Sequence, residues 1–143
     1  MLAATGVLVG FVLTVLELRH LSKRRQTQLV VELSSETRSK EFKKSTMETL
    51  SVEFKDYDFV KKCGDPLSKN PVPVSVSIVC TFYEDLGVLV KDKLIDSDLV
   101  SRMFSVSLPG QKVKPIIEGI RKEYQKPHFH EWFEYIHNKM QKR

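Results

Sequence analysis

A segment rich in histidine and glutamate near the carboxyl end of the chain is the strongest candidate for chemistry. His130, Glu134 and His137 are spaced at i, i+4 and i+7, so on a helix the three side chains share one face. Imidazole and carboxylate groups bind zinc and iron, which makes these three residues the candidate metal ligands. A two-metal centre would need a second Glu-x-x-His motif, and the other one, Glu17–His20, is badly placed to share a bundle core with it.

The apolar residues of the same segment argue for a different interpretation. They recur at helical spacing and predict a core-facing stripe: Phe129, Trp132, Phe133, Ile136 and Met140. The histidines and the glutamate then face partly away from the core. We therefore prefer a solvated helix face over a metal site, and we expect no cofactor.

Two further groups could take part in catalysis. Glu84 and Asp85 form a carboxylate pair within an apolar segment, where one pKa could be raised and the group could act as an acid or a base. The preferred interpretation is structural, with Glu84 in an ion pair with a basic residue such as Arg121. Cys63 and Cys80 are isolated thiols without metal spacing, and in a cytoplasmic domain they are expected to stay reduced.

The chain lacks the common catalytic motifs. It contains no H-E-x-x-H metalloprotease motif, no G-x-x-x-x-G-K-[ST] phosphate loop and no nucleophile elbow. A non-enzymatic role is therefore favoured.

The first 18 residues predict a transmembrane helix. Met1–Leu18 is almost wholly apolar, with Glu17 as its one charged side chain, and its length lies near the lower limit of about 17 residues for a span. A signal peptide would have its basic residues before the apolar run, and an interfacial helix would need a polar face. We therefore expect a single span at residues 1–18, followed by a stalk at 19–37 and a domain at 38–143.

A basic cluster follows the apolar run at once. It consists of Arg19, Lys23, Arg24 and Arg25. These side chains are expected to contact anionic lipid headgroups, and the positive-inside rule places the N-terminus outside and residues 19–143 in the cytoplasm.

Small residues within the apolar run predict self-association. Gly6 and Gly10 form a G-x-x-x-G pair, and Thr14 follows one helical turn later. This spacing lets two membrane helices approach closely, so a homo-oligomer through this face is expected.

The charge distribution argues against nucleic-acid binding. The net charge is +5, but residues 19–44 hold eight Lys/Arg against three Glu, whereas residues 45–143 hold fifteen Lys/Arg against fourteen Asp/Glu. Because the distal domain is almost neutral, the basic excess is a feature of the membrane-proximal segment and no nucleic-acid partner is expected.

Helical periodicity dominates the remainder, so the predicted fold is all-α: one N-terminal transmembrane helix and a small cytoplasmic helical bundle. Met47, Leu50, Phe54 and Tyr57 predict one buried helical face. Later stripes at helical spacing predict three more helices, with buried residues Val79, Phe82, Leu86 and Leu89, then Val113, Ile116, Ile117, Ile120 and Tyr124, and then the stripe around Phe133.

The helix ends are predicted from caps and breakers. Asn70 and Pro71 are expected to start a helix, although the alternation in Val72–Ile78 also suits a strand. Asp96 is expected to cap a short helix, and Leu108-Pro109-Gly110 to break the chain between helices.

A family resemblance accompanies these patterns. It rests on the run Phe82–Val90, on Leu94-Ile95-Asp96 and Asp98-Leu99-Val100, and on Arg121 and Phe133-Glu134. The chain resembles a prokaryotic family of short membrane-anchored proteins known as domain of unknown function 4760. The resemblance implies a helical fold behind an N-terminal anchor, and it implies no activity and no catalytic residue.

Together these observations favour an interaction or regulatory module at the cytoplasmic face of a membrane, with an unknown protein partner or a second copy of itself. The alternative is a membrane-tethered metal-dependent enzyme that uses His130, Glu134 and His137.

Overall fold

The computed structural model describes residues 2–53, 56–63 and 72–142, with side chains from residue 11 onward and without that of Cys63. Within these ranges the secondary structure is entirely helical, which confirms the all-α class. The helices are α1 (Leu2–Arg38), α2 (Lys40–Ser51), α3 (Tyr57–Cys63), α4 (Val74–Lys91), α5 (Ser97–Met103), α6 (Ser107–Tyr124) and α7 (Glu131–Gln141).

Helix α4 is the centre of the bundle. It packs most extensively against α7 and α2 and also contacts α6. Its buried residues recur at helical spacing and include Val79, Phe82, Leu86 and Val90. Burial of this stripe removes a continuous apolar surface from water, which is the main stabilising contribution to such a fold.

Helix α1 has two dissimilar halves. Near its carboxyl end Val30 is buried, and Leu29 and Leu33 pack against the core, so the bundle includes residues from the predicted stalk. Nearer the amino end, large apolar side chains are exposed to solvent: Phe11, Val12, Leu13, Leu16, Leu18 and Leu21. The four basic residues at 19 and 23–25 are exposed as well.

The predicted span falls mostly outside the part whose side chains are described. Of Met1–Leu18, only residues 11–18 have described side chains, and Gly6 and Gly10 lie in the undescribed part although the backbone there is helical. Within the described part of the chain, no helix is long and apolar enough to cross a membrane.

The predicted face of the second helix is wrong. Met47 is 73% exposed, and α2 instead buries Phe42, Ser45 and Thr49. The helix ends at Ser51, so Tyr57 belongs to α3 rather than to the same stripe. The buried face is the one that meets α4, where the Phe42 and Phe82 rings lie 4.7 Å apart between centroids.

The start of α4 also differs from the prediction. The helix begins at Val74 with Pro73 as its N-cap, while the expected cap, Asn70, and Pro71 lie outside the described residues. The helical interpretation of the ambiguous segment is confirmed from Val74 onward. The alternating valines do not form a strand, because the described residues contain no second strand to pair with them.

The predicted break at residues 108–110 is wrong. Pro109 and Gly110 lie in the first turn of α6, where a proline is tolerated because its missing N–H would have no intrahelical partner. The connection between α5 and α6 is residues 104–106 instead. Pro115 lies inside the same helix. The cap of α5 is confirmed, since the Asp98 N–H donates to Asp96 Oδ1 at 2.6 Å.

Candidate functional site

A carboxylate from α4 caps the start of α7. The backbone N–H of Phe133 donates to Glu84 Oε2 at 2.8 Å, and the N–H of Trp132 also lies against this carboxylate. These are N–H groups of the first helical turn, which have no partner within the helix. His130 occupies the N-cap position in a left-handed conformation, with φ of 52°, and gives no side-chain cap of its own. Glu84 therefore supplies from another helix the acceptor that α7 lacks locally.

Arg121 of α6 fixes the same region from the other side. Its Nε donates to the carbonyl oxygen of Phe129 at 2.9 Å, and its Nη1 pairs with Glu134 Oε2 at 2.6 Å. The arginine thus holds both the turn before α7 and the first turn of the helix. The predicted ion pair between Glu84 and Arg121 is wrong, because Glu84 binds backbone N–H groups and Arg121 pairs with Glu134.

Burial sets the protonation of the groups at this junction. It raises the pKa of Glu84 above its ordinary value, an effect that the two backbone N–H donors oppose. Burial, together with the positive charge of Arg121, lowers the pKa of His130 to about 4. His130 Nδ1 lies 3.7 Å from Glu84 Oε2, which is beyond hydrogen-bond distance. Because its pKa is lowered to about 4, the imidazole is neutral at pH 7.

The three candidate metal ligands do not converge. His130 lies beside Glu84, Glu134 is paired with Arg121, and His137 is buried between α6 and α7 with 8% of its surface exposed. No group of three or more His, Cys, Asp or Glu side chains in the described part of the chain is arranged to hold a metal ion. The expectation that all three face partly away from the core is wrong for His137, which is buried.

A glycine accounts for the position of His137. A Cβ at Gly110 would overlap the His137 imidazole, so the absence of a side chain in α6 makes room for the ring. A small cavity of about 30 Å³ adjoins it, and the protein offers no hydrogen-bond partner to His137 Nδ1 or to Arg121 Nη2, whose residues line this cavity. A space of this size can hold one water molecule.

A larger cleft lies between α4, α6 and the turn before α7. Its volume is about 540 Å³, and Val76, Ile116, Ile120 and Phe129 line it together with Cys80 and His130. Burial raises the pKa of the Cys80 thiol to about 12, so the thiol is protonated at neutral pH and is a poor nucleophile. The proximity of a cysteine and a histidine therefore does not make a catalytic pair here.

The buried neutral histidine predicts a pH-dependent stability. In the unfolded chain His130 takes up a proton near pH 6.5, but in the folded protein it does so only near pH 4, so the unfolded state binds more protons between these values. Stability is therefore full above about pH 6.5 and falls on acidification. We expect a loss of about 1–2 kcal/mol between pH 7 and pH 5, measured by urea unfolding.

The His130→Asn variant is the control for this prediction. Asparagine tolerates the left-handed backbone and does not titrate, so it should remove this component of the pH dependence. Glu84, whose raised pKa acts in the opposite direction, is present in both proteins and cancels to first order in the comparison. Equal pH dependence in the two proteins would contradict the prediction.

Sequence reasoning missed three features of this region. It did not identify Glu84 as a cap, Gly110 as the space for His137, or Gly87 as the point where α4 approaches the Trp132 backbone. A glycine inside an apolar helix was the available signal for the last of these, because such a residue often marks a close approach.

These features define a small all-helical domain in which an interhelical carboxylate and an arginine position the last helix. The chain belongs to the family described as Domain of unknown function (DUF4760), whose model matches residues 4–140. No curated protein and no solved structure matches the chain.

Proposed function

We propose that the protein is a membrane-anchored interaction module, with the first part of α1 in the bilayer and the bundle at the cytoplasmic face. The exposed apolar side chains of α1 carry this proposal. Leu13 and Leu16 lie in a stretch where large apolar residues are exposed, whereas Leu29 and Leu33 of the same helix pack into the bundle. A bilayer would remove these exposed apolar side chains from water.

The basic residues that follow support this placement. Arg19 and Lys23 are exposed on α1, as are Arg24 and Arg25, and the helix continues without interruption into the bundle. A continuous helix fixes the distance between the apolar segment and the domain. Anionic headgroups would pair with these four cations, and the cation bias would keep the bundle on the cytoplasmic side.

The proposed occupants of the interaction surfaces are a second copy of the chain and a protein partner. Gly6, Gly10 and Thr14 form the surface that we propose for a second copy of the chain. A protein partner would bind the bundle. The absence of a converged metal-binding group among the described side chains gives no support to the metal-dependent enzyme.

A charge placed in the apolar segment tests the anchor. Leu13→Arg introduces a cation that costs about 2 kcal/mol within the hydrocarbon region. We expect the amount of protein that stays with membranes after alkaline extraction to fall by about tenfold or more. In intact cells that carry the Cys63→Ser background, the thiol of Lys142→Cys should be protected from a membrane-impermeant maleimide and become reactive after permeabilisation, while Cys80 is buried.

Val31→Arg is the matched control. Leu13 is 60% exposed and Val31 is 61% exposed, and both lie on α1, but Val31 belongs to the half beside the bundle. This variant should remain in the membrane fraction like the natural sequence. If alkaline extraction releases the natural protein, or if both variants behave alike, the anchor is refuted.

A further inference from the structure

Lysines surround two aromatic rings on one side of the bundle. Lys91 Nζ lies 5.7 Å from the ring centroids of both Trp132 and Tyr135. Lys139 Nζ lies 5.4 Å from the Tyr135 ring and donates to the Tyr135 hydroxyl at 3.2 Å. The cations and rings thus form one group across α4 and α7, held together by cation–π attraction.

The loop after α4 carries an exposed apolar residue. Leu94 is 52% exposed, although its backbone N–H donates to the Leu89 carbonyl at 2.9 Å and fixes the loop on the helix end. Lys93 beside it adopts a left-handed conformation with φ of 58°. A short, well-bonded loop therefore presents a leucine and a lysine together.

This side of the bundle lies next to the membrane-proximal part of α1. Gln26 lines a shallow cavity together with Lys93, Lys139 and Asp96. Gln26 directly follows Arg25, the last residue of the basic cluster. Since a helix rises 1.5 Å per residue, the loop and the end of α7 lie level with the end of that cluster.

We propose that this surface rests on the anionic headgroups of the bilayer that holds α1. The surface, called the aromatic–lysine face, consists of Lys91, Lys93, Leu94, Trp132, Tyr135 and Lys139. Tryptophan and tyrosine are favoured at the membrane interface, lysines are attracted to anionic lipid, and an exposed leucine gains by entering the acyl boundary. The inference rests on the proposed anchor.

The charges on this side fit an anionic lipid rather than a zwitterionic one. The three lysines of the face stand against Asp92 and Asp96, and Asp96 is engaged in capping α5. The basic cluster of α1 adds four further cations in the two helical turns that precede Gln26. The bilayer would thus fix the orientation of the whole bundle by two contacts, one on α1 and one on α4 and α7.

The chain contains one tryptophan, Trp132, so its fluorescence reports on this face alone. The experiment places the full-length protein in nanodiscs of phosphatidylglycerol or of phosphatidylcholine, with acyl chains brominated near the headgroup or unbrominated. We expect bromine to reduce Trp132 emission by about half in the anionic discs, through contact with lipid. In phosphatidylcholine discs the quenching should be much weaker.

Charge reversals locate the contact. Lys93→Glu and Lys139→Glu should each lower the quenching toward the phosphatidylcholine value, and Leu94→Ser should do so without a change of charge. Lys62→Glu, an exposed reversal on α3, should leave it unchanged. Circular dichroism confirms that each variant keeps its helices.

The outcomes separate the two proposals. A protein that enters the discs but shows no bromine quenching of Trp132 retains the anchor and overturns the aromatic–lysine face. Quenching that is equal in both lipids, or equally sensitive to Lys62→Glu, also overturns the face. A protein that fails to enter discs at all overturns the anchor and the inference with it.

Discussion

Substitution of Gly87 by alanine is expected to destabilise the fold by about 2–3 kcal/mol, which is the typical cost of overpacking. A Cβ at this position would overlap the backbone carbonyl of Trp132, and a backbone group cannot rotate away as a side chain can. Helices α4 and α7 would have to separate where the bundle packs most extensively. Alanine gains up to about 1 kcal/mol in helix propensity over glycine, and the clash outweighs this gain.

Thr81→Ala provides the comparison for Gly87→Ala. Thr81 is exposed on the same helix, so its replacement tests helix propensity without a clash, and we expect it to be neutral or slightly stabilising. Urea unfolding gives the free energies, and the emission maximum of Trp132 reports whether α7 has moved. A Gly87→Ala protein as stable as Thr81→Ala would show that α4 and α7 do not approach closely here.

Local signals determined much of the fold. The apolar stripes in α4 and α6 predicted helices because an amphipathic helix buries its apolar face whichever element packs against it. Val79 and Phe82 of α4 are examples. The Asp96 cap could be predicted because the carboxylate acceptor and the Asp98 N–H donor lie within three consecutive residues. The face of α2 could not, since Phe42 and Met47 are both apolar and only the position of α4 selects between them.

The candidate site was less predictable because its contacts join distant residues through the backbone. Side-chain types suggested a basic partner for Glu84, but the partner is an N–H group of Phe133, 49 positions later. Spacing correctly placed Glu134 on an exposed face. It failed for His137, which follows one turn later, because Gly110 of α6 opens a space that the sequence of α7 does not reveal.

Removal of the Glu84 carboxylate is the second substitution with a large expected effect. Glu84→Ala leaves the N–H of Phe133 without an acceptor at a partly buried helix end and removes a negative charge from the start of α7. An unsatisfied buried donor costs about 1–3 kcal/mol, and the favourable charge–dipole interaction adds a few tenths or more. We expect a loss of about 2–3 kcal/mol in the free energy of unfolding, with α7 showing the fastest amide hydrogen exchange.

Two substitutions separate the cap from a general effect of charge. Glu84→Gln keeps an acceptor oxygen, and because the amide is uncharged it avoids the cost of burying a carboxylate. We therefore expect it to cost about 1 kcal/mol or less. Asp85→Ala removes a neighbouring exposed charge and should change stability by no more than about 0.5 kcal/mol. The expected loss in the free energy of unfolding is therefore largest for Glu84→Ala, smaller for Glu84→Gln and smallest for Asp85→Ala, because it depends on the hydrogen bond to the backbone. If Glu84→Gln were as damaging as Glu84→Ala, the negative charge rather than the acceptor would hold α7 in place.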